Sequence, residues 1–193
     1  MELVVNDYNK LRIRFALSSS VILLTSKSIS VLHHFIQTVL KEREQCYLLE
    51  HDTKKIYSLA DYNVDFIDDE FSRTSLSIEE YLSFFGLANR MFSDSFAKDI
   101  ETFLLDNGLQ KYKDEPLCNM TALVQFKIRL FISGKRNAKF IILSNNDGGI
   151  TDKDLLKITR YIQLFCEQHN MVAIITTRST PLTEAYTGQK FTL

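Results

Sequence analysis

Two apolar segments in the last third of the sequence end in polar residues whose types limit the chemistry they can perform. The segment 140–143 is followed by Ser144 and Asn145, and the segment 172–175 is followed by two threonines and Arg178. A neutral amide can hydrogen-bond a water molecule, but it cannot remove a proton from it as a general base. An arginine can hold a phosphate group, yet it stays protonated and cannot titrate as a histidine does. These residue types therefore argue against acid–base catalysis at this place.

The spacing of apolar residues predicts the elements that hold these polar residues. The runs 140–143 and 172–175 predict two strands, because each is short, apolar and rich in β-branched or aromatic residues. Between them, Leu155, Ile158 and Ile162 repeat at helical spacing. The sequence thus predicts a strand–helix–strand unit, with the polar residues at the ends of its strands.

Strand and helix patterns alternate in the first 67 residues as well. Strands are predicted at 11–17 and 21–24, and shorter ones at 47–50, 56–59 and 64–67. A helix is predicted from Ser28 or Ser30, since a serine can cap the free N–H groups of a first helical turn. The apolar stripe of this helix is formed by Val31, Leu32, Phe35, Ile36, Val39 and Leu40.

The region 76–117 has a different, helical character. Helices are predicted to reach about residue 85 and to span 94–107, and Gly108 is placed to end the second in a left-handed conformation. A further helix is predicted at 121–133. The fold class is therefore α/β: a mainly parallel sheet flanked by helices, with a β-rich N-terminal part. We interpret 1–193 as a single domain with a helical subdomain inserted at about 76–117.

Composition excludes several classes of function. The chain has 193 residues, 45% of them hydrophobic, and its formal net charge of −1 gives no attraction to nucleic acid or to an anionic membrane surface. No apolar run is long enough to span a bilayer. Three cysteines occur without the spacing of a zinc site, and we expect them to be reduced and no metal to be bound. The adjacent His33 and His34 would point about 100° apart on a helix and could not readily share a metal.

The order of these elements resembles the nucleotide-binding domain of ABC transporters. The resemblance implies a P-loop-NTPase-like fold and covers most of the chain. Five segments carry it, in the family's order. Segment 15–24 lies where the family has the strands before the phosphate loop, 74–85 where it has the start of the helical subdomain, and 120–132 where it has the signature motif. Segment 140–151 lies where the family has the magnesium-binding strand, and 174–179 where it has the switch strand.

The family's nucleotide-handling residues are replaced in this sequence. Its phosphate loop, GxxxxGK[ST], depends on glycines and a lysine, whereas residues 24–30 contain no glycine. Lys27 and Ser28 imitate the end of the motif, but alignment of the helix stripe places Ile29 and Ser30 there. Ser144 and Asn145 stand at the family's two carboxylate positions, and Arg178 stands at its switch histidine. In the signature segment, Thr121 alone keeps a hydroxyl group among the first residues, and bulky neighbours replace the glycines. The resemblance therefore implies no catalytic residue, vestigial cofactor contacts at Lys27, Ser30 and Thr121, and weak or absent binding of ATP and Mg²⁺.

The same resemblance implies protein partners. Cassettes of this family dock on transmembrane subunits, and the corresponding surface here spans about 66–90. Its candidate partner-binding residues are Phe66, Asp68, Glu70, Phe71 and Phe84. The sequence thus predicts a non-catalytic cassette protein, a structural or regulatory subunit in the cytoplasm at the inner face of the membrane. An ABC permease is its expected partner, and pairing with an active ABC ATPase subunit or as a dimer is a further expectation.

Two alternatives stay open at this point. The first is an atypical ABC ATP-binding protein that retains weak ATP binding or hydrolysis through Lys27, Ser30, Asp147 and Arg178. The second is a stand-alone α/β regulatory or immunity module that has no permease.

Overall fold

A computed structural model describes residues 1–6, 12–16, 20–50, 53–67, 74–91, 93–145 and 150–193. Within these ranges the strands are β1 (Glu2–Asn6), β2 (Arg12–Ala16), β3 (Val21–Thr25), β4 (Cys46–Glu50), β5 (Lys55–Ser58), β6 (Val64–Ile67), β7 (Phe140–Asn145), β8 (Val172–Thr177) and β9 (Gln189–Thr192). The helices are α1 (Ile29–Lys41), α2 (Ile78–Ala88), α3 (Asp94–Asp106), α4 (Ala122–Lys135), α5 (Asp152–His169) and α6 (Thr180–Ala185).

The chain divides into two compact units. One unit comprises Met1–Asp69 and Arg136–Leu193 and holds both sheets; we call it the α/β unit. The other comprises Glu70–Lys135 and holds α2, α3 and α4; we call it the helical unit.

The α/β unit is built on a five-stranded parallel sheet in the order β6-β7-β8-β3-β9. All six residues of β7 are buried, as are five of the six residues of β8. Strands covered on both faces are expected to be continuously apolar, which is why these segments show no alternation. The predicted parallel sheet with flanking helices is therefore confirmed.

The β-rich N-terminal part forms a separate antiparallel sheet in the order β2-β1-β4-β5. Its buried side chains share one core with α1 and with one face of the parallel sheet. The members of that core include Leu3, Val5, Ile22, Leu24, Leu32, Phe35, Cys46, Leu48, Ile142 and Ile174. The apolar stripe predicted for α1 is what this core buries.

The helical unit has an apolar core of its own. Its buried residues are Ile78, Leu82, Phe96, Ile100, Phe103, Leu104, Leu109, Leu117, Ile128 and Ile132. The rings of Phe103 and Phe131 lie 4.5 Å apart between centroids, so α3 and α4 pack through aromatic contacts. Phe84, by contrast, points to solvent with 63% of its surface exposed.

Local sequence signals fix several helix ends. Ser77 and Glu80 form a reciprocal capping box at the start of α2, and the hydrogen bonds to Ser77 hold the pKa of the Glu80 carboxyl below its usual value. Gly108 adopts φ +64° after α3, which confirms the predicted left-handed stop.

The predicted serine cap of α1 is wrong in one respect. Ser28 occupies the N-cap position, but its hydroxyl accepts no helix N–H and pairs instead with the hydroxyl of Ser30 at 2.7 Å.

Strand β1 was given no bounds from the sequence, and two elements of the C-terminal part were not predicted at all: α6 and β9. The first is only six residues long, although Ser179 caps it and a proline lies in its first turn. The second has four residues that alternate between exposed and half-buried, and it pairs in parallel with β3 at the edge of the sheet. Among the helices within the described ranges, none is both long and apolar enough to cross a membrane.

The three cysteines differ sharply in burial, and this yields a prediction. Burial raises the pKa of the Cys46 thiol and of the Cys166 thiol to about 12, whereas Cys118 is exposed. Because the thiolate is the reactive form, the native protein at pH 8 should react with a disulfide reagent at Cys118 alone. Denaturant should bring the reactive count to three. Rapid reaction of two or more thiols in the native protein would contradict the packing of these cysteines.

Candidate functional site

The polar residues singled out in the sequence lie at one edge of the parallel sheet, where its strands end. In the register of the sheet, Asn145 of β7 lies beside Thr177 of β8, which lies beside Thr25 of β3, which lies beside Thr192 of β9. We call this row of four residues the carboxyl edge. Strand β8 separates β3 from β7, so the connections that follow β3 and β7 are two strands apart. Ligands of open parallel sheets bind outside such strand ends.

The row is uncharged and internally hydrogen-bonded. The hydroxyls of Thr25 and Thr192 lie 3.1 Å apart, and Thr25 also donates to the carbonyl of Phe191 at 3.2 Å. The hydroxyl of Thr177 accepts the N–H of Ser179 at 3.0 Å. Thr25 and Thr192 were not predicted as part of the site. Thr192 lies on the unpredicted strand β9, whereas Thr25 directly follows the predicted strand 21–24, which was the available signal.

Asn145 has a structural task in the position expected for a catalytic carboxylate. It is 4% exposed, and its Oδ1 accepts the backbone N–H of Ile150 at 3.2 Å. This bond closes the connection between β7 and the start of α5. The bond occupies one of the two lone pairs of the amide oxygen. The neighbouring Ser144 is likewise buried, with 9% of its surface exposed.

The connection between β3 and α1 is short and closed on itself. Strand β3 ends at Thr25 and α1 begins at Ile29, so residues 26–28 alone join them. Ser26 is buried, and its hydroxyl accepts the N–H of Ser28 at 3.2 Å. Lys27 and Ser30 are both exposed. A phosphate loop instead wraps several free N–H groups around its ligand, and this connection has neither the length nor the glycines to do so.

The end of β8 is tied to the start of α5. The hydroxyl of Ser179 accepts the N–H of Leu182 at 3.0 Å and so caps α6, and it donates its proton to Oδ1 of Asp152. Arg178 is exposed beside it and has contacts of its own. Arg178 was predicted from the sequence as a position of interest, whereas the Ser179–Asp152 pair was not. Two signals in the sequence were available for this pair: Ser179 lies two residues before a proline, and Asp152 lies at the start of a helix.

Asp152 belongs to a small group of caps at the start of α5. The hydroxyl of Thr151 accepts the N–H of Asp154 at 3.2 Å and donates to Oδ2 of the same residue at 2.8 Å. This hydrogen bond from Thr151 holds the pKa of the Asp154 carboxyl below its usual value. The acids after β7 therefore serve the helix N-terminus, where negative charge is favourable. Nowhere in the described ranges do three histidine, cysteine or acidic residues group closely enough to hold a metal ion.

The remaining predicted site residues lie elsewhere. Thr121 belongs to the helical unit, where its hydroxyl accepts the N–H of Val124 at 3.4 Å and so caps the first turn of α4. Phe66 is half-buried against the core of the α/β unit. The other predicted residues, Asp68, Glu70, Phe71 and Asp147, lie outside the described residues.

The role of Asn145 can be tested by its removal. The variant Asn145→Leu keeps the side-chain volume but leaves the N–H of Ile150 without its acceptor, and it should lose about 1–3 kcal/mol of unfolding free energy. Urea unfolding followed by circular dichroism measures this loss. Ser144→Ala is the matched control, because it removes a buried polar group next door and leaves the Ile150 bond intact. Equal stability of the two variants would contradict a structural role for Asn145.

Comparison with solved structures identifies the fold. CbiO1 from Clostridium perfringens, described as part of the ABC transporter complex CbiONQ, superposes with a TM-score of 0.66 at 15% identity, over 92% of this chain and 78% of that one. A Pyrococcus furiosus protein described as an ABC transporter ATP-binding protein gives 0.64 at 14% identity, over 100% and 98%. An ATP-binding subunit of an ABC transporter gives 0.60 at 14% identity, over 100% and 86%. The chain therefore has the fold of ABC transporter ATP-binding subunits, although its sequence matches neither a family model nor a curated protein.

Proposed function

We propose that this chain is a non-catalytic ATP-binding-cassette protein that serves as a structural or regulatory subunit of an ABC transporter. The proposal joins the fold to the chemistry of the carboxyl edge. Proteins of this fold are described as ATP-binding proteins or subunits, whereas in this chain Ser26 and Asn145 are uncharged and hydrogen-bonded to nearby backbone N–H groups.

The short connection between β3 and α1 is the observation that carries the proposal. Triphosphate binding in a P-loop requires backbone N–H groups that face the phosphates and a lysine that reaches them. Residues 26–28 leave room for no such loop, and the N–H of Ser28 is already bonded to the hydroxyl of Ser26. We therefore expect ATP and Mg²⁺ to bind weakly or not at all.

Loss of the carboxylates supports the same conclusion independently. Mg²⁺ prefers oxygen ligands that include carboxylates, and attack by water requires a base. Ser144 and Asn145 supply neither. A change at one of these places could be compensated elsewhere, whereas simultaneous loss of the phosphate loop and of both carboxylates leaves no route to hydrolysis.

A subunit without catalysis keeps a function through its partners. Because CbiO1 is described as part of a transporter complex, we propose that this chain docks on an ABC permease at the cytoplasmic face of the membrane. Phe84 is the best supported contact, since a 63% exposed phenylalanine on α2 is an unusual surface residue. Phe66 is a weaker candidate because it is half-buried against the core. Asp68, Glu70 and Phe71 are candidates from the sequence alone. Pairing with an active cassette or with a second copy extends the proposal.

Calorimetric titration with ATP and Mg²⁺, together with an assay of phosphate release, tests the proposal. We expect no saturable binding in the micromolar range and no hydrolysis above that of buffer. Hydrolysis that depends on magnesium and disappears in Arg178→Ala or Lys27→Ala would overturn the proposal and favour an atypical ATPase. Recovery of the chain from native membranes without any permease would favour a stand-alone module.

A further inference from the structure

A cavity of about 260 Å³ opens between α5 and the segment that joins α6 to β9. It is distinct from the carboxyl edge. The hydroxyl of Tyr186, one of its walls, donates to the carbonyl of Val21 at 2.8 Å, and Val21 is the first residue of β3. The cavity therefore belongs to the end of the sheet where β3 starts. Its lining residues are Leu156, Thr159, Arg160, Gln163, Ala185, Tyr186, Thr187 and Gly188.

The walls of this cavity are held in place by the fold. Tyr186 is 8% exposed and anchored by its bond to β3. The chain returns over its ring at Gly188, where an added Cβ would lie 2.3 Å from the Tyr186 hydroxyl, so only glycine fits without a shift. Lys190 closes the segment by donating from Nζ to the carbonyl of Thr183 at 2.8 Å. These contacts fix the wall formed by the segment between α6 and β9, while Arg160 and Gln163 on α5 are exposed at the opening.

Several residues that line the cavity offer hydrogen-bond donors. Arg160 makes no hydrogen bond and no ion pair with any residue in the described part of the chain. Thr187 and Gly188 likewise have no hydrogen-bond partner among the described residues. None of the eight lining residues is acidic. The nearby Glu167 is already engaged, since it accepts from Gln163 at 3.0 Å and from Ser20 at 3.4 Å.

We propose that this cavity binds the oxyanion group of a small free molecule, either a phosphate or a carboxylate. A guanidinium presents paired N–H donors that match both groups, and Thr187, another lining residue, has a hydroxyl with no hydrogen-bond partner among the described residues. The volume lies below the ~300–1,000 Å³ of sites for drug-sized ligands. It suits an anion with few heavy atoms. The donors lie in a concavity, which favours a small molecule over a side chain of a partner protein.

Chemical-shift titration of the full chain with inorganic phosphate, and separately with succinate, tests the proposal. We expect saturable shifts of the Thr187 and Gly188 amide signals with at least one of the two anions, and the responding anion identifies the group that is recognised. In Arg160→Gln the affinity should fall about tenfold, as expected on loss of a charged hydrogen-bonding partner. Lys157→Gln is the matched control. It removes an equal charge one turn earlier on α5, where Lys157 pairs with Asp154 at 3.5 Å and does not line the cavity.

Three results would overturn the proposal. The first is the absence of saturable shifts at Thr187 and Gly188 with either anion. The second is equal weakening in Lys157→Gln and Arg160→Gln, which would indicate general attraction to a basic helix face. The third is an affinity in Arg160→Gln equal to that of the wild type, while a dispersed amide spectrum shows that the variant is folded.

Discussion

The double variant Ser144→Asp/Asn145→Glu is expected to lose about 3 kcal/mol or more of unfolding free energy and to gain no ATP hydrolysis. Both positions are buried, with 9% and 4% of their surfaces exposed. Burial without a partner opposes ionisation of each new carboxyl. Activity should not appear, because the connection at 26–28 still lacks a place for phosphates.

The stability loss of this double variant should depend on pH in a defined direction. Burial raises the pKa of each introduced carboxyl above its unfolded value of about 4. A group with a raised folded pKa has its most favourable contribution below the unfolded pKa and loses it as pH rises. The deficit should therefore be smallest near pH 4 and grow towards pH 7. Urea unfolding over this range measures it.

The neutral pair Ser144→Asn/Asn145→Gln is the control for the double variant. It changes side-chain volume to a similar extent without adding charge, so its deficit should not vary with pH. A double variant that hydrolyses ATP would show that the carboxylates alone were missing and that hydrolysis does not require a glycine-rich phosphate loop. A pH-independent deficit would show that crowding and not charge is responsible.

Long periodic elements were predictable from the sequence because their apolar spacing matches the faces they bury. The stripe Leu32–Phe35–Ile36–Val39 of α1 and the run 140–143 of β7 are buried as expected. The glycine that ends a helix was also predicted correctly from the sequence, at Gly108. The polar types at the candidate site could be read directly, and the carboxyl edge did bring Asn145 and the end of β8 into one row.

What the sequence could not supply were contacts between distant segments. Ser179 donates to Asp152, 27 residues earlier in the chain, and no local pattern predicts that pair. The bond from the N–H of Ile150 to Asn145 spans five residues and likewise follows no apolar period. Strand β9 has little apolar character, and its pairing with β3 is decided by the surrounding sheet. Ser28 does not cap α1 because the hydroxyl of Ser28 pairs with the hydroxyl of Ser30 instead.

Substitutions at exposed Phe84 and at buried Leu82, two residues apart on α2, should distinguish an effect on docking from an effect on folding. Leu82→Ala should cost about 2–5 kcal/mol of unfolding free energy, because Leu82 is 0% exposed in the core of the helical unit. Phe84→Ala should change stability by less than about 0.5 kcal/mol, since its ring is 63% exposed. If Phe84 anchors a permease, its removal should cost about 2 kcal/mol of binding, which reduces affinity about thirtyfold.

Co-purification of tagged protein with native membranes measures this docking, and Leu105→Ala supplies its control. Leu105 lies on α3 of the same unit and is 70% exposed, so its truncation removes a comparable apolar surface outside the proposed contact. Membrane recovery should fall for Phe84→Ala and persist for Leu105→Ala. The reverse pattern would place the docking surface on α3. Full recovery of both variants would show that the exposed apolar surface of the helical unit does not take part in the interaction. A selective loss at Phe84 would support the proposal that this fold serves partner binding.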